Sequence, residues 1–282
     1  MNSKLLETLQ VWDGTWHLVK FMQSQPAVLF EGAQILELGS GTGLAGLFAA
    51  AGLGASVLLT DVPSVVELLQ HNVQANSETG ERASHPAAGG REAHSLCGLG
   101  HAHRGPRSEE TNAAESSDTC VGARTCPEAA KREVHAAVDA IIAESTSPVR
   151  QTSQWRRASP VGAGSAATAR LDWTVPIGEQ VGIDDNDPRD AHVVLACEVV
   201  WLAELVQPFV GTLAEVLRGP HRPPCLMTYT DRGTVQSTTF AHRDMVLRCM
   251  DSNGLAVEEL LELQGYTADG EPVHAWRVTL QT

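Results

Sequence analysis

The chain has 282 residues, enough for one large or two small domains around a sizeable buried core. It carries 34 acidic against 20 basic side chains, a formal charge of −14. Residues 77–170 hold 11 of each sign, so all of the net charge lies outside them. So acidic a surface repels phosphate backbones and anionic lipid and attracts basic protein faces, which excludes nucleic acid and membrane surfaces as expected partners.

No apolar run reaches the roughly 18 residues a membrane span needs, and the N-terminus lacks the basic-then-apolar pattern of a signal peptide. A cytoplasmic chain is expected, with the nucleus also open to it. Cysteines at 97, 120, 126, 197, 225 and 249 form no CxxC pair and are too sparse for a disulfide scaffold, so reduced thiols are expected.

Residues 3–24 place Leu5, Leu6, Leu9, Trp12, Trp16, Leu18, Val19 and Met22 at helical spacing. Core packing is the ordinary reading of Trp12 and Trp16; the sharper one is an aromatic pair closing over a ligand. Next comes Ile35-Leu-Glu-Leu-Gly-Ser-Gly-Thr-Gly-Leu-Ala-Gly46, an apolar strand running into glycines and then a helix. Glycines there let the backbone approach a ligand, and the amides of the new helix's first turn point into the same space. A phosphate-gripping loop needs Gly-Lys-Ser/Thr, and no lysine stands between Lys20 and Lys131. A dinucleotide Gly-x-Gly-x-x-Gly fits at 41, 43 and 46, but its first glycine should directly follow the strand, where Gly39 stands. Counting from Gly39, with Glu37 at the strand end, gives the Gly-x-Gly-x-Gly of S-adenosylmethionine-dependent methyltransferases. Both readings stay open on this loop alone.

Ala55–Thr60 reads as a second buried strand ending at Asp61, with a helix over 65–76. An acidic residue at that strand's carboxyl end can accept both ribose hydroxyls of a nucleoside; otherwise it caps the helix. Residues 77–170 turn to Ala, Ser, Gly, Thr, Glu, Arg and His and bury too little to offset ordering, so a long, largely disordered insertion is expected, with one amphipathic helix over 128–144. His94, Cys97, His101 and His103 match no zinc spacing, and no metal site is expected.

Order resumes at Leu171-Asp172-Trp173. A strand over 191–197 ends at Glu198-Val-Val-Trp201, and a helix follows over 203–217. A strand over 225–229 closes on Thr230-Asp231-Arg232, and a helix spans 240–253. Segments 255–263 and 273–280 form a terminal hairpin. The alternation predicts one α/β domain over 1–282. Its sheet is doubly wound, mostly parallel, seven-stranded and Rossmann-like, with a C-terminal antiparallel hairpin, and residues 77–170 are inserted into it. Such a hairpin is the methyltransferase layout rather than the dinucleotide one.

Six ordered segments then carry a resemblance: Val11-Trp-Asp13, the glycine loop, Leu59-Thr-Asp-Val-Pro63, Asn72-Val-Gln-Ala-Asn76, Leu171-Asp-Trp173 and Leu195-Ala-Cys-Glu-Val-Val-Trp201. Outside 77–170, the chain resembles the methyltransferase-like protein-lysine methyltransferase family. The resemblance implies S-adenosyl-L-methionine as cofactor, with Trp12 and Glu37 beside it. Gly39, Ser40 and Gly41 would meet its methionine portion, Asp61 its ribose, Asp172 and Trp173 its adenine, and Cys197 the pocket wall.

The family's Asp-x-x-Tyr is here Glu198-Val-Val-Trp201. The carboxylate survives one methylene longer and the phenol is replaced by an indole. Glu198 is expected to hold the acceptor amine, Trp201 to wall the site beside the sulfonium, and Trp16 to serve as a lid. A lysine of a protein substrate with a basic or lysine-bearing face is the expected acceptor, and a monomer the expected state. A histidine ring nitrogen or small-molecule acceptor, or a non-catalytic interaction module keeping the fold, stands as the alternative.

Overall fold

In the computed structural model, residues 11–24, 30–82, 155–180, 185–260 and 264–282 are described. The helix expected over 128–144 and the histidines at 94, 101 and 103 lie outside them.

Runs of β-branched and leucine residues bounded by glycine or proline form the central strands. These are β1 (Gln34–Leu38), β2 (Ser56–Asp61), β5 (Val193–Cys197) and β6 (Cys225–Thr230), buried almost end to end as parallel strands covered on both faces are. Around them stand α1 (Asp13–Ser24), α2 (Leu44–Leu53), α3 (Pro63–Arg82), α4 (Ala203–Leu217) and α5 (Arg243–Ser252). The remaining strands are β3 (Ser159–Val161), β4 (Gly164–Arg170), β7 (Leu255–Glu259), β8 (Gly265–Tyr266) and β9 (Pro272–Leu280).

The strand order is β3-β4-β2-β1-β5-β6-β9-β7, with β8 paired to β9. Strands β4, β2, β1, β5 and β6 run parallel, while β9 enters antiparallel between β6 and β7. The doubly wound α/β sheet with its terminal antiparallel hairpin is therefore as read from the sequence. Two short strands, β3 and β8, extend the seven to nine among the described residues.

Alternation along each strand splits the core. Ile35, Val57 and Leu59 face Leu18, Met22, Leu53 and Leu69 from α1, α2 and α3. Leu36, Val194 and Met227 face Phe209, Leu213, Val246 and Met250 from α4 and α5. Each such side chain contributes about 1.5–3 kcal/mol on leaving water.

The expected insertion is narrower at both ends. Helix α3 runs through Arg82, and residues 155–170 contain β3, β4 and the buried Trp155. The strand Gly-Ser-Ala-Ala-Thr-Ala-Arg escaped a hydrophobicity reading because neighbouring elements press on it closely. A Cβ on Gly164 would stand 2.2 Å from the Ala55 carbonyl oxygen and 2.8 Å from that of Ala50. No side chain fits at that position, and small residues make up most of the strand. No helix among the described residues is long and apolar enough to cross a membrane.

Candidate functional site

The turn after β1 holds its shape through three glycines in the left-handed region, Gly39 (φ 64°), Gly41 (φ 54°) and Gly43 (φ 77°), where a side chain would be strained. At Gly39 a Cβ would also come within 2.7 Å of Val199 and 3.1 Å of the Trp173 ring. Ser40 locks the turn to β2: its amide donates to the Thr60 carbonyl (2.9 Å), and its hydroxyl accepts from the Thr60 amide (3.0 Å). The Gly41 amide donates to Asp61 Oδ2 (2.8 Å), and the Val62 amide to Asp61 Oδ1 (2.8 Å). From α3, Asn72 Nδ2 donates to the Thr42 carbonyl (2.9 Å), giving the Asn72 segment a role its sequence did not disclose.

Behind the turn, Glu37 is 2 % exposed and accepts one bond from the Gly46 amide (3.2 Å). Burial pushes its carboxyl up to about 8 against that bond and the Ser40 contact, and nearby Asp61 adds to the rise. Burial likewise raises Asp61, opposed by the two amides it accepts from. Asp172 behaves oppositely, because the Thr174 hydroxyl and amide donate to it at the surface and hold it below its ordinary value. Trp173 packs edge-on against Phe209, ring centroids 5.1 Å apart, and its buried Nε1 lacks a hydrogen-bond partner among the described residues.

The end of β5 is more crowded. Cys197 is buried, and desolvation keeps its thiol well above the ordinary range and neutral. Glu198 adopts φ 56° and is 6 % exposed. Oε1 accepts from the Thr230 hydroxyl (3.0 Å), while Oε2 accepts from the Thr230 amide and Arg232 Nη2, both at 3.2 Å. Burial raises the Glu198 carboxyl while Arg232 and Thr230 oppose it. Trp201 tilts toward Phe240 with centroids 6.5 Å apart.

All of the named positions but Trp16 converge. Trp12, Glu37, Gly39, Ser40, Gly41, Asp61, Asp172, Trp173, Cys197, Glu198 and Trp201 line one cavity of about 510 Å³ at the carboxyl ends of the central strands. Trp16 is half exposed and does not line it. Arg232, Thr230 and Gly14 lie against Glu198 without lining the cavity, a placement that the sequence does not disclose. The strand end Thr230-Asp231-Arg232 was the available signal, yet neither partner of Arg232 is near it in the chain. No group of three His, Cys, Asp or Glu among the described residues is placed to hold a metal ion.

The residues suit a nucleoside carrying a cationic amino-acid tail. They offer carboxylates at two depths, a glycine turn that admits a ligand closely and an indole wall.

Comparison with known proteins bears on the same residues. A mouse EEF1A lysine methyltransferase 3 is 42 % identical over 82 residues, covering 29 % of this chain and 34 % of that protein. The Schizosaccharomyces pombe protein-lysine N-methyltransferase rrg1 is 58 % identical over 43 residues, 15 % of this chain and 14 % of that one. The matched region thus spans about a third or less of these relatives' lengths. Among solved structures, a SAM-dependent methyltransferase from Aquifex aeolicus aligns over 99 % of this chain and 98 % of its own, with 9 % identity and a TM-score of 0.44. Over residues 7–87, which hold Trp12, Glu37, the glycine turn and Asp61, the chain matches the lysine methyltransferase family.

Proposed function

We propose that this chain is an S-adenosylmethionine-dependent methyltransferase acting on a lysine amine of a protein substrate. The observation that carries the reading is the placement of Asp61 beside the Gly39–Gly43 turn, in one cavity with Trp173 and Glu198. The family match over that turn supports the same choice.

When bound, the cofactor supplies an electrophilic methyl group on a sulfonium. Asp61 would hold the ribose diol, Asp172 and Trp173 the adenine, and Trp12, Gly39, Ser40 and Gly41 the methionine end, with Glu37 and Cys197 forming the floor. The chain's work is alignment and exclusion of water, since in-line displacement needs little else. A lysine amine with an ordinary pKa near 10.4 arrives protonated and releases its proton to water before the nitrogen presents a lone pair. Three donors leave Glu198 one lone-pair site on Oε1, which holds the amine, while Trp201 walls the sulfonium side. The acidic surface favours a substrate with a basic face. The fold is one domain with residues 83–154 inserted, acting as a monomer in the cytoplasm or nucleus.

The occupied state of the Glu198 carboxylate motivates a second reading, a non-catalytic module that binds the cofactor and a partner. Calorimetric titration with S-adenosylmethionine, followed by labelling of a lysate and mass spectrometry of the labelled residue, separates the two. Asp61→Ala is expected to weaken cofactor binding about 10- to 100-fold, the loss of charge-assisted hydrogen bonds. Glu198→Ala is expected to abolish labelling while leaving measurable binding. Cofactor binding with no labelled protein sinks the enzyme reading, and a labelled histidine or small molecule redirects it.

A further inference from the structure

Trp12 and Glu198 both line the cavity, yet they come from distant parts of the chain, one just before α1 and the other after β5. Arg232, which does not line the cavity, touches both. Its guanidinium carbon lies 4.1 Å over the Trp12 ring, and its Nη2 is 3.2 Å from Glu198 Oε2. The Arg232 side chain is 25 % exposed and that of Glu198 is 2 % exposed. A planar guanidinium can stack on an indole and donate to a carboxylate at once; an ammonium cannot do both with the same geometry.

We propose that Arg232 is a positioning residue, clamping Trp12 onto the cofactor side of the cavity and fixing the Glu198 carboxyl beside it. The proposal rests on the cofactor reading above.

The segment that carries Trp12 has few other ties among the described residues. Asp13 Oδ2 accepts from the Ala268 amide, and the Trp12 carbonyl from the Thr15 amide. Gly14 lies directly over Glu198, so the start of α1, the carboxylate and the guanidinium form one packed unit. The titratable groups facing Glu198 are Cys197 on β5 and Tyr229 and Arg232 from the β6 side. Burial holds both Cys197 and Tyr229 far into their neutral forms, which leaves Arg232 as the charged neighbour among them. Removing it takes away the counter-charge opposing desolvation, and the carboxyl then keeps its proton to higher pH.

The test titrates the purified chain with S-adenosylmethionine from pH 5 to 9, alongside circular dichroism and thermal melts. Arg232→Met is expected to weaken binding about 2- to 30-fold at neutral pH, the range of a partly desolvated cation–π contact, and to move the acid limb of the binding profile to higher pH. Trp12→Ala should lose similar affinity without moving the limb, and the double variant should lose little more than either alone. Arg232→Lys should keep the limb where it is in the unaltered chain and lose only part of the affinity. Wild-type affinity and an unmoved limb in Arg232→Met overturn the proposal, as does additivity in the double variant. If Arg232→Met does not fold, Arg232→Lys decides, with unchanged affinity counting against the clamp. A wild-type chain that binds no S-adenosylmethionine sinks the cofactor reading itself, which separates that failure from the clamp's.

Discussion

Glu37 sits where a carboxylate is least comfortable, nearly sealed from water, with one backbone amide donating to it and no cation beside it among the described residues. Its folded value near 8 lies above the ordinary 4.5, so the native state binds the proton more tightly than the unfolded chain. Stability contributed by that proton is present at low pH and is lost as pH rises from about 4.5 through 8. Glu37→Gln keeps an acceptor for the Gly46 amide and removes the charge. The ligand-free variant should therefore match the unaltered chain near pH 5 and exceed it near pH 8 by about 2–4 kcal/mol, from about 1.4 kcal/mol per pKa unit. Chemical denaturation across that pH range checks it, and a difference independent of pH would refute the assignment. Glu37 was legible at the strand end before the glycines. Its pairing state was not, because burial is a property of the assembled sheet.

At the scale of elements, two glycines within helices make opposite predictions. Ordinarily glycine in a helix costs about 1 kcal/mol relative to alanine. In α4, a methyl group added at Gly211 would meet nothing within 4 Å, so Gly211→Ala should stabilise by about 0.5–1 kcal/mol. In the first turn of α1, a Cβ at Gly14 would stand 2.3 Å from Glu198 Oε1 and 2.7 Å from Thr228 Oγ1, both on buried side chains. Overpacking wins there, and Gly14→Ala should destabilise by about 1–3 kcal/mol. Midpoints of denaturant unfolding decide both signs. Strands β1, β2, β5 and β6 and helix α4 could be read because each buries a continuous or periodic apolar set. Strand β4 could not, since tight packing against α2 and the Ala55 backbone selects small residues that look like a linker.

The whole molecule is assembled across a long interruption. Strand β2 pairs with β4 from Ser56↔Ser165 to Asp61↔Arg170, and Trp155 docks on β2 through its amide to Ser56 Oγ (3.3 Å) and its indole N–H to the Ser56 carbonyl (3.0 Å). These joins are non-covalent and buried. A protease site engineered within residues 83–154 should thus yield, on cleavage, two fragments that co-elute on gel filtration and still bind S-adenosylmethionine. Separation of the fragments under native conditions would show that the sheet needs chain continuity. Neither fragment should bind alone, because Asp61 stays with one, while Asp172, Trp173, Glu198 and Trp201 go with the other. Distance along the chain explains why Arg232 stayed hidden in the sequence: Trp12 and Glu198 are 220 and 34 residues away from it and become neighbours only when the sheet closes.

The left-handed backbone at Glu198 carries a further consequence. Such a conformation at a residue with a side chain stores about 1–2 kcal/mol, which glycine would release. Glycine would also deprive Thr230 and Arg232 of the carboxylate they donate to, so relief of strain and loss of those bonds oppose each other at this position. The direction in which Glu198→Gly moves the unfolding midpoint therefore reads which of the two is larger.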